Sequence, residues 1–425
     1  MQVVEQTIIN KSDPRYAAID AAAFAAKNLY NLAIYEVRQS FIHDGVYLNY
    51  AEIYHRVKRT SDYQALPSKV SNDILRQLHK NWVAFFKAME AWREHPEKFL
   101  SRPKLPNYKH KTKGRFLLIY DKQAISKTAL KRGMLAPSGL PIEVPTKQGV
   151  VKQARIVPRI GFYVIETVYE RAECPPTGDP TLFASIDLGV DNLAAITSNR
   201  EGFVPRLING RPIKSTNQYF NKRRAELQKK LGHPGTTVRI ERLTTKRNRR
   251  IQHYLHTASK RIIDLLVEEG ISTLVVGKNP LWKQEVELGK RNNQHFVQLP
   301  HARFSDMLAY KGQLAGVQVI AQEESYTSKA SFLDLDDIPT YDPRRTEKPR
   351  FSGKREHRGL YRASNGRRIN ADVNGSANIL RKAIPDSFAR RGQGIEVRAV
   401  APVQLPVLTV QSRALAETGS VPTSQ

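Results

Sequence analysis

Hydrophobic residues in the first part of the chain recur at two different periods. Apolar side chains at helical spacing run from 16 to 41 and again from 71 to 92, which predicts two long amphipathic helices. An alternating segment at 3–9 predicts a short strand before them. Further strand-like runs follow the helices at 115–120, 153–157 and 162–169. Because the first strand has no partner nearby, we expect it to pair with the later strands, with the helices inserted between them.

The pattern changes after a linker rich in proline and glycine at 174–180. The segment from 183 to 196 predicts two strands around a turn at Gly189. The next predicted elements are a strand at 205–213, helices at 217–231 and 238–269, a strand at 273–277, a helix at 301–314, a strand at 317–322 and a helix at 372–383. This order predicts an α/β domain, in which ligands bind where the carboxyl ends of parallel strands meet.

Length and cysteine usage limit the possible classes. The 425 residues are enough for two or three domains. The sequence has no apolar run of the roughly 18 residues that a membrane span needs, and its start lacks the pattern of a signal peptide. Cys174 is the single cysteine, which excludes an internal disulfide and a cysteine-rich zinc site. We therefore expect a soluble, untargeted, cytoplasmic protein with no membrane partner.

The charge of the chain indicates a polyanionic partner. The 68 Lys and Arg residues outnumber the 40 Asp and Glu residues, which gives a formal net charge of +28. Between 206 and 261 there are 16 Lys or Arg residues and only two acids. A block of like charge repels itself unless it is neutralised, and phosphates neutralise it with release of counterions. A second basic stretch at 101–113, interrupted by prolines, predicts an extended arm that contacts phosphates.

The residues predicted to bind nucleic acid come from this arm and from the two basic helices. They are Arg102, Lys104, Tyr108, Lys109, Lys222, Arg223, Arg224, Arg247, Arg249, Arg250 and Lys260. A solvated helix face is the alternative for any single run of charge. The length and one-sidedness of this run favour nucleic acid.

Two acidic residues stand where the sequence pattern does not explain them. Asp187 lies inside an apolar predicted strand, so its carboxylate must be paired or must bind something cationic. Asp372 opens the last predicted helix, where it is either an N-cap or a metal ligand. Phosphodiester hydrolysis with two divalent ions about 3.5–4 Å apart needs several carboxylates at one point. Both residues are therefore candidates for one metal site.

Four motifs occur together in the order that is typical of one known family. They are DLGVDNLA at 187–194, HYLHTASK at 253–260, YTSK at 326–329 and DVNGSANI at 372–379. These segments resemble the RuvC nuclease domain of TnpB, the RNA-guided DNA endonuclease of insertion sequences, which is often called a transposase and is related to type V CRISPR effectors. The resemblance implies a ribonuclease-H-like α/β domain preceded by an α+β lobe, a small β-barrel with an inserted helical bundle. It also implies that Asp187 and Asp372 are the first and third catalytic acids.

The sequence departs from the family pattern at the second acid. The family's usual glutamate would fall at Gly277. The next strand is followed by Glu323 and Glu324, and neighbouring strands lie about 4.8 Å apart, so a glutamate there can approach the vacated place. Resemblance to relatives with a displaced glutamate selects Glu324, with Glu323 as the alternative. A solvated pair of surface glutamates is the other interpretation.

A second departure concerns the zinc ribbon that the family usually has between 327 and 372. A ribbon needs four cysteines, and this stretch contains none. We therefore expect no zinc and a segment that is held by packing.

The resemblance and the patterning together divide the chain into consecutive segments. These are the first strand of a wedge β-domain (1–12), a helical recognition domain (13–100), the rest of the wedge domain (101–173), a linker (174–180), the first part of the nuclease domain (181–326), an insertion in place of the ribbon (327–368), the final nuclease helix (369–384) and a flexible tail (385–425).

The function implied by the resemblance is RNA-guided cleavage of DNA. We expect two Mg²⁺ ions on Asp187, Glu324 and Asp372, with guide RNA and target double-stranded DNA as partners and a monomer in the nucleoid-associated cytoplasm. The alternatives are a nuclease-inactive RNA-guided DNA-binding protein, favoured by Gly277, and a strand-joining transposase. A purely structural RNA-binding protein accounts for the net charge but not for the acids in strands.

Overall fold

The chain folds into two compact units. The computed structural model describes residues 1–233, 235–278, 299–342, 349–388 and 401–407. The first unit is Met1–Arg171 and the second is Ala172–Gln425, a division that falls just before the predicted linker. None of the helices in the described part of the chain combines the length and the apolarity that crossing a membrane requires.

An antiparallel sheet underlies the first unit. Its strands are β1 (Gln2–Asn10), β2 (Leu118–Asp121), β5 (Gln153–Arg159) and β6 (Phe162–Glu170), in the order β1-β6-β5-β2. β1 pairs with β6 along its whole length, so the predicted pairing of the first strand with the later sheet is confirmed. β1 and β2 form the two edges of this sheet in the described residues, and the predicted closed barrel is not confirmed. A small separate hairpin contains β3 (Met134–Leu135) and β4 (Val144–Pro145).

Helices lie between β1 and β2 in the chain and pack on the sheet. They are α1 (Tyr16–Gln39), α2 (Tyr50–Val57), α3 (Ser61–Gln64) and α4 (Ser68–Glu94), and the short α5 (Lys127–Lys131) follows β2. α1 and α4 match the two predicted amphipathic helices. α2 and α3 were not predicted, although a capping box between Asn49 and Glu52 starts α2. Trp82 of α4 is fully buried against Phe41, so this aromatic residue belongs to the core.

A mixed sheet forms the centre of the second unit. Its strands are β7 (Asp179–Asp187), β8 (Asn192–Ser198), β9 (Arg206–Asn209), β10 (Ile271–Gly277), β11 (Gln318–Gln322) and the short β15 (Val403–Gln404), in the order β11-β10-β7-β8-β9-β15. β7, β10 and β11 are parallel to one another, whereas β8 is antiparallel to β7. The carboxyl ends of β7, β10 and β11 therefore lie at the same edge of the sheet. The mixed α/β class predicted from the sequence is confirmed for this unit.

Helices cover both faces of this sheet. They are α6 (Arg211–Leu231), α7 (Val238–Glu268), α8 (His301–Ala315) and α9 (Ala371–Ala383). Ala184 and Ile186 of β7 share one apolar core with α7 and α8. Ser185 points to the other face, where its hydroxyl donates to the Ser376 carbonyl of α9 at 2.6 Å. Because side chains alternate along a strand, Asp187 falls on the α9 face at the carboxyl end of β7.

The segment in place of the zinc ribbon forms a small antiparallel sheet of its own. β12 (Lys354–His357), β13 (Leu360–Arg362) and β14 (Arg368–Asn370) pair in the order β12-β13-β14, and β14 leads directly into α9. Phe332, Tyr361 and Ile369 form its buried core. Apolar packing therefore holds this segment, as we expected.

Two aspartates add cross-links that the sequence did not predict. Asp334 accepts the backbone N–H and the hydroxyl of Ser364 at 2.9 and 2.6 Å. Asp336 accepts the backbone N–H of Ser331 at 2.8 Å and of Ser352 at 3.1 Å, and it also accepts the Ser352 hydroxyl. Burial opposes ionisation of Asp334, but its hydrogen bonds with serines lower the pKa of this carboxyl below its ordinary value. These two carboxylates fasten the loops that precede β12 and follow β13.

Part of the predicted tail belongs to the sheet. Val403 and Gln404 form β15, which pairs in parallel with β9. The prediction of a flexible tail over 385–425 is therefore wrong for these two residues, because the backbone of β9 offers them an edge. Most of the remaining tail lies outside the described residues.

Removing the Asp336 carboxylate should loosen the insertion. Asp336→Ala leaves two backbone N–H groups and one hydroxyl without their acceptor, which should cost about 1–3 kcal/mol locally. Hydrogen exchange over 331–352 measures this effect, with the exposed Asp337→Ala as the matched control. We expect a chelator to leave exchange in this segment unchanged. Loosening by the chelator would show that a metal, and not the carboxylates, holds the loops.

Candidate active site

Asp187 occupies the carboxyl end of β7 and lies against a glycine of α9. A Cβ atom at Gly375 would lie 2.6 Å from the Asp187 Oδ2 atom, so only glycine leaves room for the carboxylate there. Buried hydroxyls hold the helix and the strand at this distance. Ser376 donates to the Ser185 carbonyl at 3.0 Å, and its hydroxyl lies 3.0 Å from that of Thr197. These hydrogen bonds thus fix the distance between α9 and β7 at Ser185, two residues before Asp187.

Glu324 occupies the space beside Gly277. In the register of β10 and β11, Gly277 lies opposite Gln322, so Glu324 comes two residues after the end of the paired region. A Cβ atom at Gly277 would overlap the Glu324 Oε2 atom and would lie 2.6 Å from the Ile379 Cδ1 atom. The carboxylate of Glu324 therefore takes the place where a side chain at position 277 would begin.

Glu323 has different partners from Glu324. Its Oε2 atom accepts from the Lys382 ammonium at 2.5 Å, and its Oε1 atom accepts the Ser325 backbone N–H at 2.6 Å. Burial raises the pKa of Glu323, but the hydrogen bonds with Lys382 and Ser325 outweigh burial and bring the pKa below its ordinary value. The two adjacent glutamates thus have different roles in the structure, and the interpretation as a solvated surface pair is wrong.

Asp372 lies in the first turn of α9 but does not cap it. The cap is Asn370, whose Oδ1 atom accepts the backbone N–H groups of Asp372 and Val373 at 3.0 and 3.2 Å. The Asp372 carboxylate instead accepts from the Asn192 side-chain amide at 2.8 Å and lies 3.6 Å from the Arg355 guanidinium. The N-cap interpretation of Asp372 is therefore wrong, and its carboxylate faces the same edge of the sheet as Asp187.

Asp187 and Glu324 both have raised pKa values. Burial, followed by the charges of Glu324 and Asp372, raises the pKa of Asp187 to about 8, although Arg355 acts in the opposite direction. Burial and the adjacent charge of Glu323 raise the pKa of Glu324 to about 7. Raised pKa values of this kind arise where carboxylates share a partly desolvated site. Asp187, Glu324 and Asp372 therefore form one electrostatic cluster, which is the set of acids predicted from the sequence.

Two partners of this cluster were not predicted. Asn192 lies within the first motif, five residues after Asp187, and only the fold shows that it contacts Asp372. Arg355 lies on β12 in the insertion, and no sequence signal connects it to the acids. Asp191 was also given no role, and it pairs with Lys214 at 2.8 Å and with Arg358. These contacts supply the positive charge around the acidic edge.

The predicted basic arm is fixed along α1. Asn31 exchanges two hydrogen bonds with the backbone of Lys109, at 2.9 and 2.8 Å. Lys27 donates to the Lys111 carbonyl at 2.7 Å, and Arg38 donates to the Pro106 carbonyl at 2.9 Å. The arm is therefore an ordered ridge on the first unit rather than a free linker.

The arm presents its charged side chains to solvent. Arg102, Lys104, Tyr108 and Lys109 are all exposed. Arg102 also lies 5.8 Å from the Trp92 ring, and Arg38 lies 5.3 Å from the Tyr108 ring. These positions are compatible with contacts to phosphates, which stays a prediction.

The predicted cations of α6 and α7 divide into two groups. Exposed side chains belong to Lys222, Arg224, Arg249, Arg250 and Lys260, whereas Arg223 and Arg247 are half-buried. Arg223 pairs with Glu226 within the same helix, and Lys260 pairs with Asp264. Arg247 donates to the Asn217 side chain at 2.8 Å and lies over the Phe220 ring, so it also joins α7 to α6. The first group is better placed to meet a polyanion.

Comparison with known proteins places the candidate site in a family context. A family model described as a probable transposase matches residues 162–282, and a model described as Cas12f1-like, TNB domain matches residues 301–379. Over 402 residues the chain is 24% identical to the TnpB-like protein ORF457 of Acidianus two-tailed virus, which covers 84% of this chain and 81% of that protein. The chain is therefore similar to TnpB-like proteins over most of its length. The resemblance carried by the four motifs is thus confirmed, and the segments matched to TnpB-related models contain Asp187, Glu324 and Asp372.

Solved structures also align with most of this TnpB-like chain. A Cas12f1–sgRNA–target DNA complex is 15% identical and covers 89% of this chain and 98% of that chain, with a TM-score of 0.34. A CRISPR–Cas12f ternary complex is 13% identical and covers 85% of this chain and 81% of that chain, with the same TM-score of 0.34. Matches at this TM-score support no conclusion of their own.

The raised pKa of Asp187 predicts a specific dependence of stability on pH. In the folded, metal-free protein this pKa is about 8, against an ordinary value of 3.8. Between these values the folded state holds a proton that the unfolded state has released, so stability is full at low pH and falls as the pH rises toward 8. Asp187→Asn removes this loss. In the presence of a chelator we expect equal melting temperatures near pH 4.5 and a higher melting temperature for the variant at pH 8.

Calorimetry in chelator across this pH range tests the prediction. The expected difference at pH 8 is on the order of 10 °C, because a change of one in the pKa corresponds to about 1.4 kcal/mol and 1 kcal/mol moves the melting temperature of a domain of this size by about 2–4 °C. Parallel curves for wild type and Asp187→Asn would mean that the Asp187 carboxyl does not titrate in this range.

A methyl group at position 277 should displace Glu324. Gly277→Ala places a Cβ atom against the Glu324 carboxylate and the Ile379 side chain, which should cost about 1–3 kcal/mol of unfolding free energy. Gly149→Ala is the matched control, because nothing lies within 4 Å of a Cβ atom there. The double variant Gly277→Ala with Glu324→Ala should regain part of the lost stability. Urea unfolding that shows Gly277→Ala to be as neutral as the control would contradict this packing.

Proposed function

We propose that this chain is an RNA-guided DNA endonuclease of a transposable element, which hydrolyses phosphodiester bonds in a ribonuclease-H-like, RuvC-type domain. The observation that carries the proposal is the cluster of Asp187, Glu324 and Asp372 at one edge of the sheet. Glu324 stands where the side chain of residue 277 would begin, so the departure from the family pattern at Gly277 leaves no gap in the cluster. The order of β7 to β11 in the sheet also agrees with a ribonuclease-H-like domain.

The residues at this edge suit a hard divalent cation such as Mg²⁺. All three acids offer carboxylate oxygens, which Mg²⁺ prefers. Burial, followed by neighbouring negative charge, raises the pKa values of Asp187 and Glu324. When bound, two such ions would activate a water molecule and stabilise the leaving oxygen of the phosphodiester. Binding of the cations would also release the protons that Asp187 and Glu324 hold near neutral pH.

The chain's own residues prepare the acids for this role. Asn192 donates to one oxygen of Asp372 and fixes the orientation of that carboxylate. Gly375 lets the Asp187 carboxylate lie directly against α9. Arg355, at 3.6 Å from Asp372, supplies positive charge at the edge where a phosphate would approach.

The remainder of the chain offers surfaces for the nucleic acids. We propose that the exposed cations of the arm, α6 and α7 contact phosphates, while base pairing with a guide RNA provides sequence specificity. The first unit also contains an open cleft of about 610 Å³. Its polar lining comes from α4, the arm and the sheet, namely Gln77, Asn81, Lys109, Arg115, Arg155, Arg159 and Glu166. Side-chain amides beside guanidinium groups suit the reading of base edges beside the target.

A nuclease-inactive RNA-guided DNA-binding protein was the main alternative. It was favoured by the missing acid at Gly277. The position of Glu324 in that space supports an active enzyme over this alternative.

Metal-dependent cleavage tests the proposal. The protein is expressed with its native flanking DNA, the copurified RNA is sequenced, and cleavage of a matching DNA is measured with Mg²⁺. We expect Asp187→Ala and Glu324→Gln to lose cleavage and to keep RNA binding. Asn192→Ala should lose about 10–100-fold in rate, the usual cost of removing a partner of a metal ligand.

The controls separate the two glutamates. Glu268→Gln makes the same chemical change at an exposed position of α7 and should cleave like wild type. Glu323→Gln should reduce cleavage less than Glu324→Gln does. An inactive wild type would favour the nuclease-inactive alternative, and retained cleavage by Asp187→Ala would overturn the assignment of the site.

A further inference from the structure

Three polar residues of α9 lie on one face of the helix and hold the segment that carries Glu324. Asn374, Asn378 and Lys382 are spaced at i, i+4 and i+8, so their side chains line up along the helix axis. All three contact the backbone or side chains of the segment 323–332, as described below. The sequence analysis gave these residues no role.

The two asparagines bind the carboxyl-terminal part of this segment. Asn374 accepts the Phe332 backbone N–H at 2.9 Å and donates to the Ala330 carbonyl at 2.8 Å. Asn378 donates to the same Ala330 carbonyl at 2.7 Å and to the Thr327 carbonyl at 3.0 Å. Both asparagines are completely buried, so these contacts are made without competition from water.

Lys382 binds the amino-terminal part. Its ammonium donates to the Glu323 carboxylate at 2.5 Å, to the Ser325 carbonyl at 3.0 Å and to the Pro339 carbonyl at 3.1 Å. Only 6% of the Lys382 side chain is exposed. Three acceptors use all three donors of the ammonium group, so this buried cation is fully satisfied.

Thr327 connects these contacts to Glu324. The Thr327 backbone N–H and hydroxyl both donate to the Glu324 carbonyl, at 3.2 and 2.8 Å, while the Thr327 carbonyl is held by Asn378. Tyr326, between them, has a left-handed backbone with φ of 66°, which a non-glycine residue adopts only when its surroundings impose it. Glu324 therefore sits in a short strained turn whose two ends are fixed by α9.

Glu324 needs these contacts to fix its backbone because it is not part of a strand. A glutamate at position 277 would be held by the pairing of β10 with strands on both sides. Glu324 follows the end of β11 at Gln322 and has no such ladder to fix its backbone. A metal ligand must nevertheless be held within a fraction of an ångström of its working position.

We propose that Asn374, Asn378 and Lys382 are positioning residues, which keep the displaced glutamate aligned with Asp187 and Asp372. This inference rests on the proposed function. A merely structural role is the alternative, because the same three contacts would anchor the insertion even if Glu324 had no function.

The experiment compares Lys382→Met and Asn378→Ala with wild type. Metal affinity is measured in two ways, by the Mg²⁺ concentration at half-maximal cleavage and by the rise in melting temperature that Mg²⁺ produces in the RNA-bound protein without DNA. Hydrogen exchange at Ser325 and Thr327 in chelator reports the turn itself. We expect about a tenfold higher half-saturating Mg²⁺ concentration, a smaller Mg²⁺-induced rise and faster exchange.

Two controls separate positioning from loss of stability. Ile262→Val removes a methyl group from the buried face of α7 and lowers stability on the face of the sheet opposite α9, so its Mg²⁺ dependence should equal that of wild type. Lys382→Arg keeps the charge and the donors, and should restore most of the metal affinity that Lys382→Met loses. If Lys382→Met does not fold, Glu323→Gln weakens the same contact in a folded protein and should shift the Mg²⁺ dependence in the same direction.

The outcomes distinguish this inference from the proposed function. Unchanged Mg²⁺ dependence in Lys382→Met, Asn378→Ala and Glu323→Gln, beside a metal-dependent wild type, overturns the positioning role alone. A wild type that neither cleaves nor responds to Mg²⁺ overturns the proposed function, and the positioning role with it. Faster exchange at Thr327 together with weaker metal binding in the variants supports the inference.

Discussion

Three acidic residues share one edge of the sheet in the second unit, and the proposed cation site depends on this arrangement. Asp187, Glu324 and Asp372 come from a strand, from a turn and from a helix. Burial, followed by the charges of Glu324 and Asp372, raises the pKa of Asp187 to about 8. The chain places opposite charge around the cluster rather than inside it. Arg355 lies beside Asp372, and Lys382 pairs with Glu323 instead of Glu324. The positive charges therefore lie around the three acids, an arrangement that is compatible with the proposed site for a divalent ion.

Room for this cluster depends on two glycines that have no unusual backbone conformation. Neither Gly277 nor Gly375 has a positive φ, yet a Cβ atom at either would collide with a carboxylate. The absence of a side chain at 277 is thus linked to the presence of one at 324. The Glu324 carboxylate can occupy this space only if residue 277 has no side chain. The residue types at the two positions therefore depend on each other. Local sequence shows the loss at Gly277, whereas the gain is visible only in the packing.

The periods of the sequence predicted most of the fold because they report burial directly. The long helices and the strands of both sheets lie within a few residues of their predicted positions, since a buried face must recur at 3.6 or 2 residues. Asp187 stands out from the pattern alone, as a carboxylate in an apolar strand, whereas the selection of Glu324 and Asp372 depended on the resemblance to TnpB. Asn192 and Arg355 were not predicted, since each is an ordinary polar residue until the fold brings it to Asp372. The structure of the insertion was harder still to predict from the sequence. Its strands have three or four residues, and its loops are joined by aspartate and serine, which give no periodic signal.

The composition of α9 shows how much of this unit is arranged around the acids. Asn374, Gly375, Ser376 and Asn378 are poor helix formers in the middle of a helix, and the glycine alone costs about 1 kcal/mol relative to alanine. An isolated helix of this sequence would be unstable, and it forms because each of these residues has a tertiary contact: with the turn, with Asp187 or with the hydroxyls of β7 and β8. Helix propensity is therefore low at the positions of α9 whose side chains contact the site, which conflicts with the helical structure of this segment. That conflict is itself a signal of function, because a helix serving only the core would have no reason to accept the cost.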